Sequence, residues 1–494
     1  MVVLLGFMGF GIMMVEHMEI VRKWDDAISR ETFDVRNPYS NEILYGCANC
    51  DVQDAKKNAI KAIKVAKEAL KSWSLQTTAK ARGQILHQWY KICTEKEMDL
   101  AKLLTLEQGK PLVEAVGEIR YSASFMEWFA GEARRTYGQI VPPPTLNRVH
   151  LHTREPIGVV VLITPWNFPA AMIARKAAAA LAVGCTVVVK PAEDTPLSAL
   201  ALAQVAKDAG IPNGVFNVLP ADRQKTEQIS KFVCSSVDVD AISFTGSIEV
   251  GKLLLSQSAS TVKRVCLELG GNAPLIVFDS ADLAKAIEGT MAAKFRGTGQ
   301  VCVAANRIFV HSSVHDAYVE GLKKKIDKLV IGDGMKDGTN QGPLINERAV
   351  SKVLSLIEDA VSKGAKIVCG GKRGEKSTLF QPTLITNVKS NMEIAHTEIF
   401  GPVAAIRRFD GEEEVLKIAN DSRSGLAGYF FSTDYSQIMR VARQLQLGMV
   451  GVNEGMISCA EAAFGGVKES GLGREGASQG IDEFSQWKYT CIAY

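Results

Sequence analysis

No block of like charges interrupts this 494-residue chain, and 57 basic against 54 acidic residues leave a formal charge of only +3. That excludes the concentrated basic footprint of a nucleic-acid-binding protein. The short run Lys323-Lys324-Lys325 reads instead as the solvated face of a helix. A disulfide framework is missing too: ten cysteines are scattered along the chain. The Cys47–Cys50 spacing fits half a zinc site or a redox pair, but no second pair follows and no histidine lies near. No metal is therefore expected, and cysteine usage points to a reducing compartment. Internal repeats and low-complexity tracts are absent. A stretch long enough to span a membrane is absent as well. The uncharged apolar segment Met1–Val15 falls short of the about 20 residues a spanning helix needs. It has neither the basic start of a secretory signal nor the Arg- and Ser-rich pattern of a mitochondrial transit peptide. A degenerate leader and a disordered extension both fit it, and no membrane partner is expected.

What is present is ordinary globular composition, 47% hydrophobic and 22% charged, over a length that suggests two to four domains. Ala59, Ile63, Ala66, Leu70 and Trp73 share one face of a helix expected over Asp54–Trp73. Further helices are expected over Thr78–Leu106 and Leu112–Tyr137, before Pro142-Pro143-Pro144 breaks the pattern. From Gly158 the texture changes. Short β-rich runs at Gly158–Thr164, Thr186–Lys190, Gly214–Val218, Ala241–Phe244 and Pro274–Phe278 alternate with stretches such as Ala170–Ala182 and Leu197–Ala209. Continuous apolar runs between helices mean strands buried on both faces, hence a parallel sheet under helix layers. This predicts a doubly wound α/β domain, with a nucleotide at the carboxyl ends of its strands. A second α/β region follows from about Gly270. Its strand candidates are Asn306–His311, Lys366–Cys369, Ala404–Phe409, Leu426–Phe431 and Met449–Asn453, with helices over Asp316–Leu329 and Glu413–Asn420. Arg148–Thr153 and part of Gln486–Tyr494 alternate polar and apolar residues.

Three motifs carry chemistry. Gln300-Val301-Cys302 follows Gly297-Thr298-Gly299 and offers a thiol among small neighbours. Glu268-Leu269-Gly270-Gly271 offers a carboxylate after an apolar run, and Pro165-Trp166-Asn167-Phe168-Pro169 a side-chain amide just past a buried strand. A nucleophile, a base for water and an oxyanion donor are the parts needed to oxidise an aldehyde through a covalent thioester. Each residue alone has a plainer reading: a buried structural cysteine, an ion-paired glutamate, an asparagine that N-caps the following helix. Together, in this order, the motifs resemble the aldehyde dehydrogenase superfamily, from about Trp24 to the C-terminus. Within it, Gly451-Val452-Asn453-Glu454-Gly455 and Phe464-Gly465-Gly466-Val467-Lys468 are similar to its succinate-semialdehyde branch.

The resemblance implies two doubly wound α/β domains: a cofactor domain of residues 16–138 and 159–269 and a catalytic domain of 270–477. It also implies a small β oligomerisation domain from 139–158 and 478–494, in a homo-oligomer, a tetramer by resemblance. Cys302 would be the nucleophile, Glu268 the general base for thioester hydrolysis, and Asn167, with the Cys302 N–H, the oxyanion donor. No Gly-x-Gly-x-x-Gly follows the first strand, a departure from the common dinucleotide fingerprint. The resemblance supplies other residues: Thr164 and Trp166; Lys190-Pro191-Ala192-Glu193, with Lys190 and Glu193 on the adenosine ribose; Gly246, Ser247 and Gly251 at a helix N-terminus for the pyrophosphate; and Glu398 with Phe400 on the nicotinamide ribose. A carboxylate at Glu193 would repel a 2′-phosphate, so NAD is expected over NADP. Arg175 and Arg296, with Ser458, would hold the far carboxylate of the aldehyde substrate, since a guanidinium can engage both oxygens. Eight helical residues would separate Arg175 from Asn167 and aim both side chains within about a quarter turn. For each arginine the plainer reading is a surface or salt-bridged residue.

The expected reaction is oxidation of succinate semialdehyde to succinate, the last step of 4-aminobutyrate breakdown. Glutarate semialdehyde or a broad range of aldehydes is the neighbouring alternative, and a non-catalytic structural homologue the distant one. Animal members of the branch are mitochondrial and bacterial ones cytoplasmic. One departure concerns oxidation: Ala304 stands where some animal relatives carry a second cysteine, so the local disulfide they form with the nucleophile is not available.

Overall fold

Runs of valine, isoleucine and leucine without intervening charge are buried on both faces, and in this chain they assemble two parallel sheets. The computed structural model describes residues 31–50 and 59–494. The segment Met1–Val15 and the first residues of the helix expected from Asp54 lie outside them. The first sheet has six strands, ordered Gly471–Leu472, Arg264–Leu269, Ala241–Gly246, Val159–Ile163, Thr186–Lys190 and Phe216–Val218. All neighbours are parallel except the first pair, where Gly471 lies opposite Glu268. The second sheet has seven strands, ordered Lys366–Cys369, Thr383–Thr386, Val403–Phe409, Arg307–His311, Pro274–Val277, Ala427–Phe431 and Met449–Val452, parallel after its first pair. A separate antiparallel sheet of three strands joins Ser485–Ala493, Arg148–Pro156 and Gln139–Val141.

Helices cover the first sheet, and buried carboxylates tie them together. The Ala171–Val183 helix is buried at every residue, because its alanines allow the sheet and the Leu112–Glu132 helix to close on it from both sides. It has no side-chain cap of its own. Glu118, from the Leu112–Glu132 helix, accepts from Ala170 N–H at 2.9 Å and Ala171 N–H at 3.3 Å instead. Glu107 does the same for the Pro196–Asp208 helix, accepting from Leu197 N–H and Ser198 N–H, both at 2.8 Å. Helix N-termini leave unpaired N–H groups, and a buried end must find acceptors.

The local sequence misplaces some boundaries. The helix expected over Thr78–Leu106 is two, Ala79–Glu95 and Glu97–Gln108, with Lys96 as the joint. The next ends at Glu132, ahead of Tyr137. The hairpin Thr32–Arg36 with Ile43–Ala48 and the strand Thr383–Thr386 have no counterpart in the sequence reading. All ten cysteines are free. Cys47 packs into the core with Trp89 and Val187, and Cys50 into the one with Val188 and Ile242. Val187 and Val188 point to opposite faces of one strand, so the two thiols serve different layers. Lys323, Lys324 and Lys325 are paired at the surface with Asp327, Glu320 and Glu288. Among the described residues no cluster of His, Cys, Asp and Glu is placed to hold a metal, and no helix is long and apolar enough to cross a membrane.

Candidate active site

The first sheet reverses its winding at Val159–Ile163. The chain runs from there to Thr186–Lys190 on one side, and Ala241–Gly246 flanks it on the other. Such a switch point opens a crevice at the carboxyl ends of the strands. Trp166 and Asn167 leave the first strand into it, Thr245, Gly246 and Ser247 leave the second, and Glu268 sits inside the third. The second sheet faces this crevice with the amino ends of its strands. Cys302 lies just ahead of Arg307–His311, and Glu398 and Phe400 just ahead of Val403–Phe409. Between the two edges is a cavity of ≈ 280 Å³ whose wall includes Trp166, Asn167, Glu268, Cys302, Glu398 and Phe400.

Cys302 is delivered by a left-handed turn. Gly297, Thr298 and Gly299 have φ of 59°, 56° and 71°. Gly299 has to be glycine on two counts, since a Cβ there would also lie 2.2 Å from the Gly401 carbonyl oxygen. Glu114 accepts from Gly297 N–H at 3.0 Å, and the Thr298 hydroxyl donates to Gly342 O at 3.2 Å. Gln300 then locks the exit, its side chain accepting from Ile345 N–H at 2.9 Å. Its own carbonyl accepts from Asn167 Nδ2 at 2.9 Å. The Asn167 amide is thus fixed beside the nucleophile loop, with a second N–H left for another acceptor. Asn167 does not cap the following helix, whose N-cap is Ala170. Lys110 Nζ holds the Asn167 backbone from behind, donating to its carbonyl at 2.8 Å.

Charge around the cavity is concentrated and dry. Glu268 is 2% exposed and Arg175 1% exposed, 3.7 Å apart. Arg175 pairs more tightly with Glu475, which also takes Lys176. Burial works against the Glu475 charge, but Arg175 and Lys176 outweigh it and hold that carboxyl below its usual range. Glu268 has the opposite balance. Burial pushes it up to about 7 against the pull of Arg175, with Glu475 adding to the rise. Burial, then the Glu268 carboxylate, pushes the Cys302 thiol well above its usual range. The helical phase expected between Asn167 and Arg175 does not apply: Asn167 precedes the Ala171–Val183 helix, and only Arg175 is on it.

Two aromatic rings organise the inner wall. The Arg175 guanidinium lies 4.2 Å from the centre of Phe464, and Arg296 5.4 Å from that of Phe168. Phe168, Phe464, Cys302 and Ile457 pack in one apolar cluster. Ser458 follows Ile457 and is half-buried at the rim of that cluster.

On the other side, the Ser247 side chain accepts from Val250 N–H at 3.3 Å and caps the Ile248–Ser258 helix, whose N-terminus points at the crevice. The Thr164 and Thr245 hydroxyls are buried there without a hydrogen bond, and Glu398 accepts from Gly271 N–H at 3.1 Å. Trp166 and Phe400 meet edge to face at 5.5 Å. These groups fit a dinucleotide: free N–H groups for phosphates, orphaned hydroxyls and carboxylates for riboses, aromatic edges for a flat ring. Lys190, Pro191, Ala192 and Glu193 sit at the neighbouring strand end, outside the cavity wall. Lys190 donates to Pro191 O, and burial lowers its pKa to about 8. Gly251 is outside the wall too. A Cβ there would meet Leu269 at 2.5 Å, so its smallness serves helix–strand packing.

Sequence reasoning did not single out Lys176, Glu475, Lys352 or Met172. Lys176 and Glu475 are 299 residues apart, and no local pattern joins them. Lys352 and Met172 line the cavity from the helices Glu347–Ser362 and Ala171–Val183. An inward lysine is not distinguishable by spacing from a solvated one.

Comparison with known proteins bears on this arrangement. The model of the aldehyde dehydrogenase family matches residues 24–490. The chain is 53% identical over 462 residues to the mitochondrial succinate-semialdehyde dehydrogenase of Homo sapiens, covering 93% of this chain and 85% of that protein. It is 48% identical over 471 residues to the NADP(+) succinate-semialdehyde dehydrogenase GabD of Escherichia coli (strain K12), covering 95% and 96%. The crystal structure of succinate-semialdehyde dehydrogenase from Burkholderia pseudomallei matches with a TM-score of 0.93 and 49% identity, over 96% of either chain.

Proposed function

The chain belongs to the aldehyde dehydrogenase family, and from that premise we propose that it oxidises succinate semialdehyde to succinate with NAD, through a thioester on Cys302. The observation that carries the reading is the pair of guanidiniums, Arg175 and Arg296, set on aromatic rings in the cluster that holds Cys302. A substrate with an aldehyde at one end and a carboxylate at the other matches a thiol that shares its cluster with two cations, Arg175 buried and Arg296 half-buried. Glutarate semialdehyde is the competing substrate.

Each step has a residue. Cys302 attacks the aldehyde carbon. The free N–H of Asn167 and the Cys302 N–H donate to the oxyanion; one such donor contributes about 3–4 kcal/mol of barrier lowering. Glu398 and Phe400 would hold a nicotinamide, which would serve as the hydride acceptor. Glu268 then takes a proton from water as it attacks the thioester carbonyl, and succinate leaves. Glu193 beside the adenosine end supports NAD over NADP, although the E. coli relative is named for NADP(+). The human relative's mitochondrial name suggests the same place for this chain, in 4-aminobutyrate breakdown; a fluorescent fusion of residues 1–30 that stays in the cytosol gives the cytoplasm instead.

The test is NADH formation by the purified protein with succinate semialdehyde, glutarate semialdehyde and butanal, each repeated with NADP. Highest kcat/KM for succinate semialdehyde with NAD is expected, and Glu193→Ser should raise the use of NADP relative to NAD. No turnover of any aldehyde assigns the chain to the non-catalytic homologues. A wild-type preference for NADP removes Glu193 from the ribose.

A further inference from the structure

Glu114, Glu118 and Tyr121 recur at helical spacing on one face of the Leu112–Glu132 helix. Two of the three already work on the site. Glu114 accepts from Gly297 N–H at 3.0 Å, one residue past Arg296. Glu118 accepts from Ala170 N–H at 2.9 Å, at the start of the helix that carries Arg175. Tyr121 is the next residue along this face. Its ring meets Phe125 edge to face at 4.8 Å, which fixes the direction of the phenol. Its hydroxyl is shielded from solvent, and its hydrogen-bonding neighbour, the Arg175 guanidinium, can only donate to it, which leaves the O–H without an acceptor.

That oxygen has charged company. Burial raises the Tyr121 phenol, while the Arg175 guanidinium and then Arg296 act against the rise, and the Cys302 thiol adds to it. The hydroxyl therefore stays a protonated donor in working solution, close to both guanidiniums and the nucleophile. Arg175 Nη2 and Arg296 Nε are likewise buried without a hydrogen bond, while Arg175 Nε is taken up by Glu475. A buried donor left without an acceptor is costly, so donors gathered around one volume call for a ligand with several lone pairs. A carboxylate, with two oxygens and about four acceptor positions, meets that need.

We propose that the Tyr121 hydroxyl donates to the far carboxylate of the substrate between Arg175 and Arg296, making Tyr121 a specificity-determining residue, a role that rests on the semialdehyde-acid reading of the site. The neutral phenol adds direction where the two cations add charge. It selects for a carboxylate at a fixed distance from Cys302 and does nothing for an uncharged aldehyde.

Tyr121→Phe keeps the ring, its packing on Phe125 and the fold, and removes only the donor. Kinetics with succinate semialdehyde and butanal, and calorimetric binding of succinate, are compared for wild type, Tyr121→Phe and Arg296→Ala. Expected for Tyr121→Phe is a KM for succinate semialdehyde raised about ten-fold, succinate binding weakened by a similar factor, and unchanged kcat/KM for butanal. Unchanged KM and succinate binding overturn the proposal, as do equal losses for both aldehydes, which would mean a structural role. The underlying reading fails separately: wild type and Arg296→Ala would then show no preference for the carboxylated aldehyde.

Discussion

At the residue scale the site turns on a conflict over the charge of Glu268. Removing a carboxylate from water favours its protonated form, and the cation 3.7 Å away does not fully reverse that. In the proposed role of general base Glu268 must be ionised, so turnover should rise with pH to a plateau as it loses its proton near about 7. Arg175→Ala removes the group that holds this carboxyl down. The rising limb should therefore move to higher pH, in addition to any rise in KM for succinate semialdehyde, whereas Arg296→Ala should raise KM and leave the limb in place. A pH profile of kcat for the three proteins checks this, and an unshifted limb in Arg175→Ala would show that another group titrates. Glu268→Gln should give one burst of NADH and then stall, because hydride transfer precedes hydrolysis; full steady turnover would remove Glu268 from the role of base. That Cys302, Glu268 and Asn167 belong together, as the shared cavity has them, was legible in the sequence because each lies in a short motif with its own local grammar. The partners that tune them were not. Glu475 reaches Lys176, and Arg175 beside it, across 299 residues, and Tyr121 has the same helical spacing as any core aromatic.

At the element scale, strands were easier to read than helix ends. A run such as Thr186–Lys190 is bounded by what is apolar, and its observed limits are the expected ones. The Ala171–Val183 helix shows why ends are harder. Its N-terminus has no local cap and depends on Glu118 from another helix, which is also ion-paired with Lys110 in a wholly buried pair. Lys110 in turn holds the Asn167 carbonyl. Glu118→Ala should therefore strand a buried ammonium and uncap the helix. Breaking such a pair costs about 3–5 kcal/mol, so the melting temperature should fall sharply. Replacing both partners by apolar residues, as in Lys110→Met with Glu118→Leu, should restore much of the stability because no unpaired charge remains. It should not restore kcat, since Asn167 loses its support. Calorimetry and kinetics on the single and double variants separate the two effects. Recovery of full activity in the double variant would show that Lys110 and Glu118 do not position Asn167.

At the scale of the whole molecule, the three-stranded sheet has more apolar surface than one chain can cover. Among the described residues Ser485–Ala493 runs nine residues along the sheet edge and pairs with a strand on one side alone, and long unprotected edges recruit further strands. Trp487 is 50% exposed, Tyr489 55% and Ile492 46%. On the Ile248–Ser258 helix Val250 and Leu253, one turn apart, are also open to solvent. Arg154 and Lys488 on this sheet are already matched, with Asp482 and Glu155, so these two cations do not call for an acidic partner. A second copy of the chain satisfies both features at once, its own edge strand extending the sheet while its apolar face covers these aromatics. The resulting assembly should have the mass of an even number of chains, tetrameric in line with the family resemblance, by light scattering after size-exclusion chromatography. Trp487→Asp with Tyr489→Lys places charge on the covered face without touching the cavity. This pair should reduce the mass to a smaller species while far-UV circular dichroism stays unchanged. A wild-type mass equal to a single chain would leave the exposed strand without the partner argued for, and an unchanged mass in the double variant would move the contact elsewhere, to the Val250 and Leu253 face.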